Sequence, residues 1–275
     1  MRPAPVAPGG SESGLRILSW NIYMLPRFAK ITGKRRRSRA IAELLKDTPY
    51  DIIVLQEAFL GDARRILKRE LEDAFPYTVG PANRKFSIKT NSGIWILSKL
   101  RLRTLGEIDF RDCAGFDDCM ARKGALLVET VWQGDTVQVL GTHLQAGGPH
   151  EIRHRQYAEL RTLLDAHRRP DIPQIICGDM NTAQNDSVNY TYMIRTLDAE
   201  DGPLRMAMKK TENGYRNDMH RGGYRNDRII DYIFYRGNGR TVSRIVRTAP
   251  HFRFPWSRRH ADLSDHFPVA AKIWW

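Results

Sequence analysis

An acid and an imidazole stand side by side in LSDHFPV, where Asp265 and His266 precede an extended apolar run. Alone, such a pair reads as a short polar turn that happens to contain histidine. Distant segments supply partners of matching chemistry. LRILSWN ends in Asn21, DIIVLQE in Glu57, TVQVLGTH in His143 and PQIICGDMN in Asp179 and Asn181, while RIIDYIFY carries Asp231 within it. Singly, each has an ordinary structural explanation as a turn cap, a loop start or a half-buried histidine. Together they are hard oxygen donors and two imidazoles, the set that Mg²⁺-assisted attack of water on phosphorus requires. Mg²⁺ takes few protein oxygens, keeps several waters and leaves positions for phosphate oxygens.

Roles follow from that chemistry. Glu57 and Asn21 suit the cation, with Asp265 as a further metal or phosphate-site ligand. The attacking water must lose a proton, and a histidine held in one tautomer by a carboxylate is a suitable base near neutral pH. His266 is expected to be that base and Asp231 its orienter. Asp179 and Asn181, alternate residues of an extended segment, are expected to project to one side. There they would position the water and bind a phosphoryl oxygen. His143 is expected to stabilise negative charge on the phosphate or to protonate the departing oxygen.

Elements able to carry these residues are legible. Apolar runs of this length, bounded by polar residues, fit strands buried in a sheet, and SGIWILSK, GALLVETVWQ and VAAKIWW read as further strands. SRAIAELLKD, DARRILKRELEDAF and HEIRHRQYAELRTLLDAH have the three-and-four apolar spacing of amphipathic helices. No tandem repeat and no internal linker divides the 275 residues. Residues 15–275 are therefore expected to form one layered α/β catalytic domain with its site along one edge of the sheets. Residues 1–14, MRPAPVAPGGSESG, read as a disordered arm. It lacks the apolar segment of a signal peptide, and no run elsewhere is long enough to span a bilayer. The chain reads as soluble and monomeric, cytoplasmic as written or the mature form of a secreted enzyme.

Lys plus Arg number 44 against 31 Asp plus Glu, a formal charge of +13, which attracts polyanions such as nucleic acid or acidic lipid surfaces. The densest cluster, KRRRSR from Lys34 to Arg39, is expected to be the solvated first turn of a helix, with a phosphate-binding patch or a localisation signal as alternatives. The 3 cysteines make no disulfide scaffold. Cys113 and Cys119 bracket AGFDD closely enough to bridge if that loop curls, whereas Cys177 reads as a buried strand residue.

SWNIYMLP, IIVLQEAF, GTHLQA, CGDMNT, RIIDYIFY and LSDHFPV, in that order, resemble the endonuclease/exonuclease/phosphatase superfamily with its deoxyribonuclease-I-like fold. These motifs run from Ser19 to Val269, nearly the whole chain. The resemblance implies a four-layer α/β sandwich, two packed mixed β-sheets flanked by helices, with a divalent-metal phosphodiesterase or phosphatase site. It implies Asn21 and Glu57 at the metal, His143 and His266 as the catalytic imidazoles, and Asp179, Asn181, Asp231 and Asp265 in the roles derived above.

Within that superfamily the fuller forms NIYMLP and GTHLQA resemble the neutral sphingomyelinase branch. So does DDCMARKG, which offers Asp118 ahead of Lys123 in place of that branch's Asp/Lys pair; the adjacent Asp117 is the alternative, and a solvated acidic-basic loop is the plain reading. HFRFPWSRR, from His251 to Arg259, interleaves Phe252, Phe254 and Trp256 with arginines, and an aromatic hairpin lies at this place in secreted bacterial sphingomyelinases. Exposed, such rings would settle at headgroup depth beside lipid phosphates; otherwise they would pack beneath the site. The expected activity is Mg²⁺-dependent hydrolysis of sphingomyelin to ceramide and phosphocholine, with Mn²⁺ or Co²⁺ as alternative ions and peripheral docking on a phospholipid surface. Alternatives are a nuclease or abasic-site endonuclease binding nucleic acid through its positive charge, and a catalytically inactive binding module.

Overall fold

Alternation along the strands decides the architecture. In the computed structural model, which describes residues 14–26, 33–83, 89–203, 210–220 and 227–275 apart from the side chain of Asp117, the strands form two large sheets and one short ribbon. The strands are Leu15–Asn21 (β1), Ile52–Gln56 (β2), Tyr77–Val79 (β3), Trp95–Ser98 (β4), Arg103–Asp109 (β5), Gly124–Trp132 (β6), Asp135–His143 (β7), Gln174–Asp179 (β8), Glu212–Asn213 (β9), Asp227–Arg228 (β10), Asp231–Arg236 (β11), Arg244–Thr248 (β12) and Val269–Trp274 (β13). One sheet has the order β12-β13-β1-β2-β4-β3 and the other β11-β8-β7-β6-β5, while β9 and β10 pair separately. Both large sheets are mixed: β1 and β2 run parallel, as do β7 and β8, and the other pairs are antiparallel.

Successive side chains of a strand face opposite ways, and here both faces are covered. Ile17, Val54 and Ile96 of the first sheet meet Val128, Val139, Ile175 and Cys177 of the second in a shared inner core. Their sequence neighbours Leu18, Ile53, Leu55 and Leu97 face the other way, against helices Lys34–Leu45 (α1) and Gly61–Leu71 (α2). On the far side Leu127, Leu140, Ile176 and Phe234 pack on the long helices that follow a short one at Phe116–Met120 (α3), namely His150–Ala166 (α4) and Ser187–Leu197 (α5). The result is helix, sheet, sheet, helix, the expected four layers. Double coverage explains why the strands read as unbroken apolar runs. No helix among the described residues is long and apolar enough to cross a membrane.

Several expectations change. Of the expected arm, only Gly14 lies within the described residues. KRRRSR does open α1, but it is not all solvated: Arg35, Arg36 and Arg39 are exposed, whereas Arg37 and Ser38 are buried. The aromatic loop divides as well. Phe252 packs edge-on against Trp20, and Trp256 sits against the α1 side of the core with its Nε1 donating to Asp262 O. Both rings are half-buried beneath the loop, and Phe254 alone of the three is classed as exposed, at 39%. Of the two arrangements left open for these rings, Phe252 and Trp256 take the packed one, because the apolar core reaches up to meet them.

The two sheets approach closely at Gly141, where an added Cβ would stand 2.8 Å from Val54 Cγ1 and 2.9 Å from Ile94 Cγ2. Those neighbours are β-branched and fixed in the core, so they cannot swing aside. Gly141→Ala is expected to lower stability by about 1–3 kcal/mol. Urea unfolding checks this, and an unchanged midpoint would contradict the packing described.

Candidate active site

Register assembles the site before any side chain is considered. In the second sheet Asp179 is the cross-strand partner of both His143 and Asp231. In the first sheet Asn21 pairs with Gln56, which sets Asn21 beside Glu57. The C-terminal ends of the parallel pairs β1/β2 and β7/β8 thus meet the N-terminal ends of β11 and β13 along one edge of the sandwich. Glu57 has φ of 55° and Asn181 φ of 48°. This left-handed geometry costs a non-glycine residue on the order of 1–3 kcal/mol, and such strain gathers at functional positions. The expected extended segment through Asp179 and Asn181 is therefore corrected: the strand ends at Asp179. Asn181 turns back, its N–H donating to Asp179 Oδ1 (3.0 Å) and its Nδ2 to Leu144 O (3.0 Å). Both residues still line the same cavity.

Two hydrogen-bonded groups converge on Asp179. His266 Nδ1 lies 2.9 Å from Asp231 Oδ2, and its Nε2 lies 3.8 Å from Asp179 Oδ2. His143 Nε2 is 3.6 Å from the same Asp179 oxygen and 3.3 Å from Lys123 Nζ. Lys123 in turn pairs with Asp118 Oδ1 at 2.7 Å, and Asp118 Oδ2 accepts from Gln145 Nε2 and Ala146 N. A Cys113–Cys119 disulfide closes the loop that presents Asp118, and Cys177 is buried in β8 as expected.

Electrostatics separate the two imidazoles. Burial alone would depress His266, but Asp231 and Asp179 outweigh it and hold the ring well above its ordinary range. Burial, with Lys123 and His266 nearby, drives His143 well below its own. Burial pushes Glu57 up to about 7, with Asp265 as the next cause, and pushes Asp179 up to about 7, with Asp231 next. Burial likewise raises Asp265. Carboxylates this close, short of water, lack positive charge.

The donors fit a divalent cation. Asn21 Nδ2 donates to Glu57 Oε1 and Asp179 Oδ2, each at 3.2 Å, while Asn21 Oδ1 accepts from Tyr23 N. Glu57 Oε2 is buried with no hydrogen-bond partner among the described residues, an arrangement that costs free energy unless something satisfies it. A second group, Asp179, Asp231 and His266, places one donor atom from each residue within 4.8 Å of the others. There Nδ1 of His266 is already engaged by Asp231, which marks that group as a proton-handling unit. Glu57 and Asp265 offer the hard oxygens a cation needs.

These groups open into a cavity of about 580 Å³ whose polar lining includes Glu57, Lys123, His143, Asp179, Asn181 and His266. Leu25, Pro26, Phe59, Met120, Ala121 and Ile230 contribute apolar lining. Asn21 and Asp231 lie buried behind the lining, and Asp265 stands beside Glu57 without lining the cavity. Sequence reasoning missed Glu212 and Arg228 in the wall, where Arg228 Nε and Nη2 grip Glu212 Oε2 at 2.9 and 2.6 Å. Their spacing along the chain carries no periodic signal. It also missed Arg37, although a signal existed: Arg37 falls on the apolar stripe with Ile41 and Leu45.

A cation held by Glu57 and Asp265, with Asp179 close by, favours the ionised form of these raised carboxylates, of which Glu57 and Asp179 are pushed up to about 7. Its binding is expected to release protons at pH 7 and to weaken as pH falls through that value. Calorimetry in two buffers of different ionisation enthalpy measures the release, and buffer-independent heats would contradict it.

The family model described as "Endonuclease/Exonuclease/phosphatase family" matches residues 18–266. Among curated proteins, sphingomyelinase C 2 of Leptospira interrogans is 28% identical over 93% of this chain, and the chain spans 45% of that protein's length. A phospholipase C of Staphylococcus aureus is 24% identical over 94% of this chain and 87% of its own. Among solved structures, sphingomyelinase C from Streptomyces griseocarneus superposes with a TM-score of 0.86 at 25% identity, over 94% of this chain and 99% of that one. By the span of the family match, this chain belongs to the endonuclease/exonuclease/phosphatase family.

Proposed function

We propose that this chain is a divalent-metal phosphodiesterase of phospholipase C type that hydrolyses sphingomyelin to ceramide and phosphocholine. One observation carries the reading: the His266–Asp231 pair and the His143–Lys123–Asp118 relay both abut Asp179. They do so in a cavity that also holds an unsatisfied Glu57 oxygen and an apolar wall. A nuclease track would need a basic groove for successive phosphates. This cavity is instead half apolar, as a lipid headgroup and the first carbons of its tails require. The sphingomyelinase and phospholipase C names of the relatives support the same substrate class.

In this mechanism Glu57 and Asp265, with Asn21 alongside, would hold Mg²⁺, with Mn²⁺ or Co²⁺ as alternatives, and the ion when bound would supply Lewis acidity. His266 Nε2 takes the proton of the attacking water from the neutral form of the ring, which a bound cation would favour by offsetting the carboxylates that raise it, while Asp231 keeps Nδ1 protonated and the ring oriented; the departing ceramide oxygen takes up a proton from solvent as the ring returns its own. Asp179 and Asn181 position that water and a phosphoryl oxygen. Lys123, fixed by Asp118, and His143 face the charge that grows on the phosphate, where preformed donors stabilise the transition state most. The one catalytic domain that holds these groups runs over residues 15–275.

Phe254 is proposed as the interfacial anchor, flanked by exposed Arg253, Arg258 and Arg259. The enzyme then docks peripherally as a monomer. The Cys113–Cys119 bridge suits maturation in an oxidising compartment, and with it export.

Sphingomyelin vesicles are expected to yield phosphocholine with Mg²⁺ and none with chelator, and His266→Ala is expected to lower turnover by about 10²–10⁴-fold with the fold intact. Plasmid nicking without phosphocholine release would replace the lipid reading with the nuclease one. Inertness toward both, and toward bis-p-nitrophenyl phosphate, would leave a binding module.

Burying one phenyl ring in the interface contributes about 1–2 kcal/mol, so Phe254→Ala is expected to weaken vesicle partitioning by about 5–30-fold. Phe252→Ala should instead lower thermal stability, since that ring packs on Trp20. Vesicle sedimentation and melting curves separate the two, and unaltered partitioning of Phe254→Ala would remove the anchor.

A further inference from the structure

Arg37 is absent from the mechanism, yet it has no accessible surface and no ion pair among the described residues. Its guanidinium donates only to backbone carbonyls. Nε and Nη2 reach Leu263 O at 2.9 and 2.7 Å, Nη2 also reaches Ile22 O at 2.5 Å, and Nη1 reaches Tyr23 O at 3.0 Å. Ile22 and Tyr23 follow Asn21 directly, and Leu263 lies two residues before Asp265. One side chain from α1 therefore ties together the two loops that carry opposite ends of the proposed cation site. Lesser ties run in parallel: Ser264 Oγ donates to Asn21 O at 2.6 Å and Trp20 Nε1 to His266 O at 3.0 Å.

Geometry explains why this position takes arginine. A guanidinium is a planar fork of five donors that can hold several acceptors at fixed separations, whereas an ammonium is a point charge. Burial lowers Arg37 to about 10, so it stays charged at neutral pH, with Asp265 and Glu57 near enough to favour that charge. A positive group beside a cation site opposes the cation by charge alone. Whatever it contributes to binding must therefore come from placing the ligands.

We propose that Arg37 is a positioning residue that fixes the Asn21–Glu57 end of the cation site against the Asp265–His266 end by clamping the carbonyls of Ile22, Tyr23 and Leu263. This inference rests on the cation-site reading above. Arg37→Lys keeps the charge and loses the fork, so Mg²⁺ titrated calorimetrically into the purified full chain is expected to bind at least about tenfold more weakly. Turnover of Arg37→Lys should recover as Mg²⁺ is raised, which a merely structural lesion would not allow. Arg247→Lys is the control: Arg247 is equally buried, bonds Gly202 O, and lies in β12 among no site residues. It should leave Mg²⁺ affinity unchanged.

If Arg37→Lys melts below the assay temperature, Arg37→Gln, whose amide still reaches part of the carbonyl set, is titrated in the cold. Wild-type affinity in a folded Arg37 variant overturns the proposal, as does an equal loss in Arg247→Lys. Failure of both Arg37 variants to fold would assign the residue to the fold and overturn it too. A wild-type chain that binds no Mg²⁺, or whose affinity ignores Glu57→Gln, instead sinks the cation-site reading.

Discussion

Four carboxylates crowded at one end of two sheets, Asp179 and Asp231 buried and Glu57 and Asp265 half-buried, are the constraint to which the rest of the structure answers. Glu57, Asp179 and Asp265 are all raised, with burial as the leading cause, and Asp231 stands against Asp179 across the strand pair. Like charges removed from water repel strongly, and the fold holds them together by compensating on every side. His266 is drawn well above its ordinary range between Asp231 and Asp179, Lys123 reaches in from the residue before β6, and Arg37 backs the cluster from α1. Even so, buried oxygens of Glu57 and Asp231 find no hydrogen-bond partner among the described residues. A cluster arranged this way is costly to keep unless it has work to do with positive charge.

The four-layer architecture makes the crowding tolerable. Each strand is locked on both faces by apolar packing, so its end cannot splay to relieve the repulsion. Repulsion at the edge is small beside the cost of opening a close-packed interior. Where the chain leaves the strands, the strain is visible in the left-handed backbones of Glu57 and Asn181. Rigid sheets therefore aim the side chains, and loops only close the cavity around them. The disulfide-closed Asp118 loop and the Glu212–Arg228 pair form such walls.

The apolar half of the cavity gives the polar half its meaning. A phosphate site alone would serve many phosphodiesters. With Leu25, Phe59, Met120 and Ile230 beside the imidazoles, the space suits a phosphate joined to something greasy. The division of the aromatic loop follows the same logic. Phe252 and Trp256 are spent on seating the loop against Trp20 and α1, and Phe254 is left at the surface among arginines.

Much of this was legible beforehand because strand periodicity and chemical type are local properties. Ordered motifs ending in Asn21, Glu57, His143 and Asp179 revealed which strands carry donors, and unbroken apolar runs revealed sheets covered on both faces. The helices at α1, α2 and α4 were likewise written in three-and-four spacing. Other features depend on contacts between residues far apart in the chain, where no period operates. That Arg37 is buried rather than solvated, and that Glu212 meets Arg228, came only from the assembled sandwich. So did the burial of Phe252 and Trp256 while Phe254 stays out. The sequence by itself determined the donor chemistry and the sheets that carry it. Tertiary structure alone decided which charges lose their water, since burial is set by what packs above a residue and not by the residue itself.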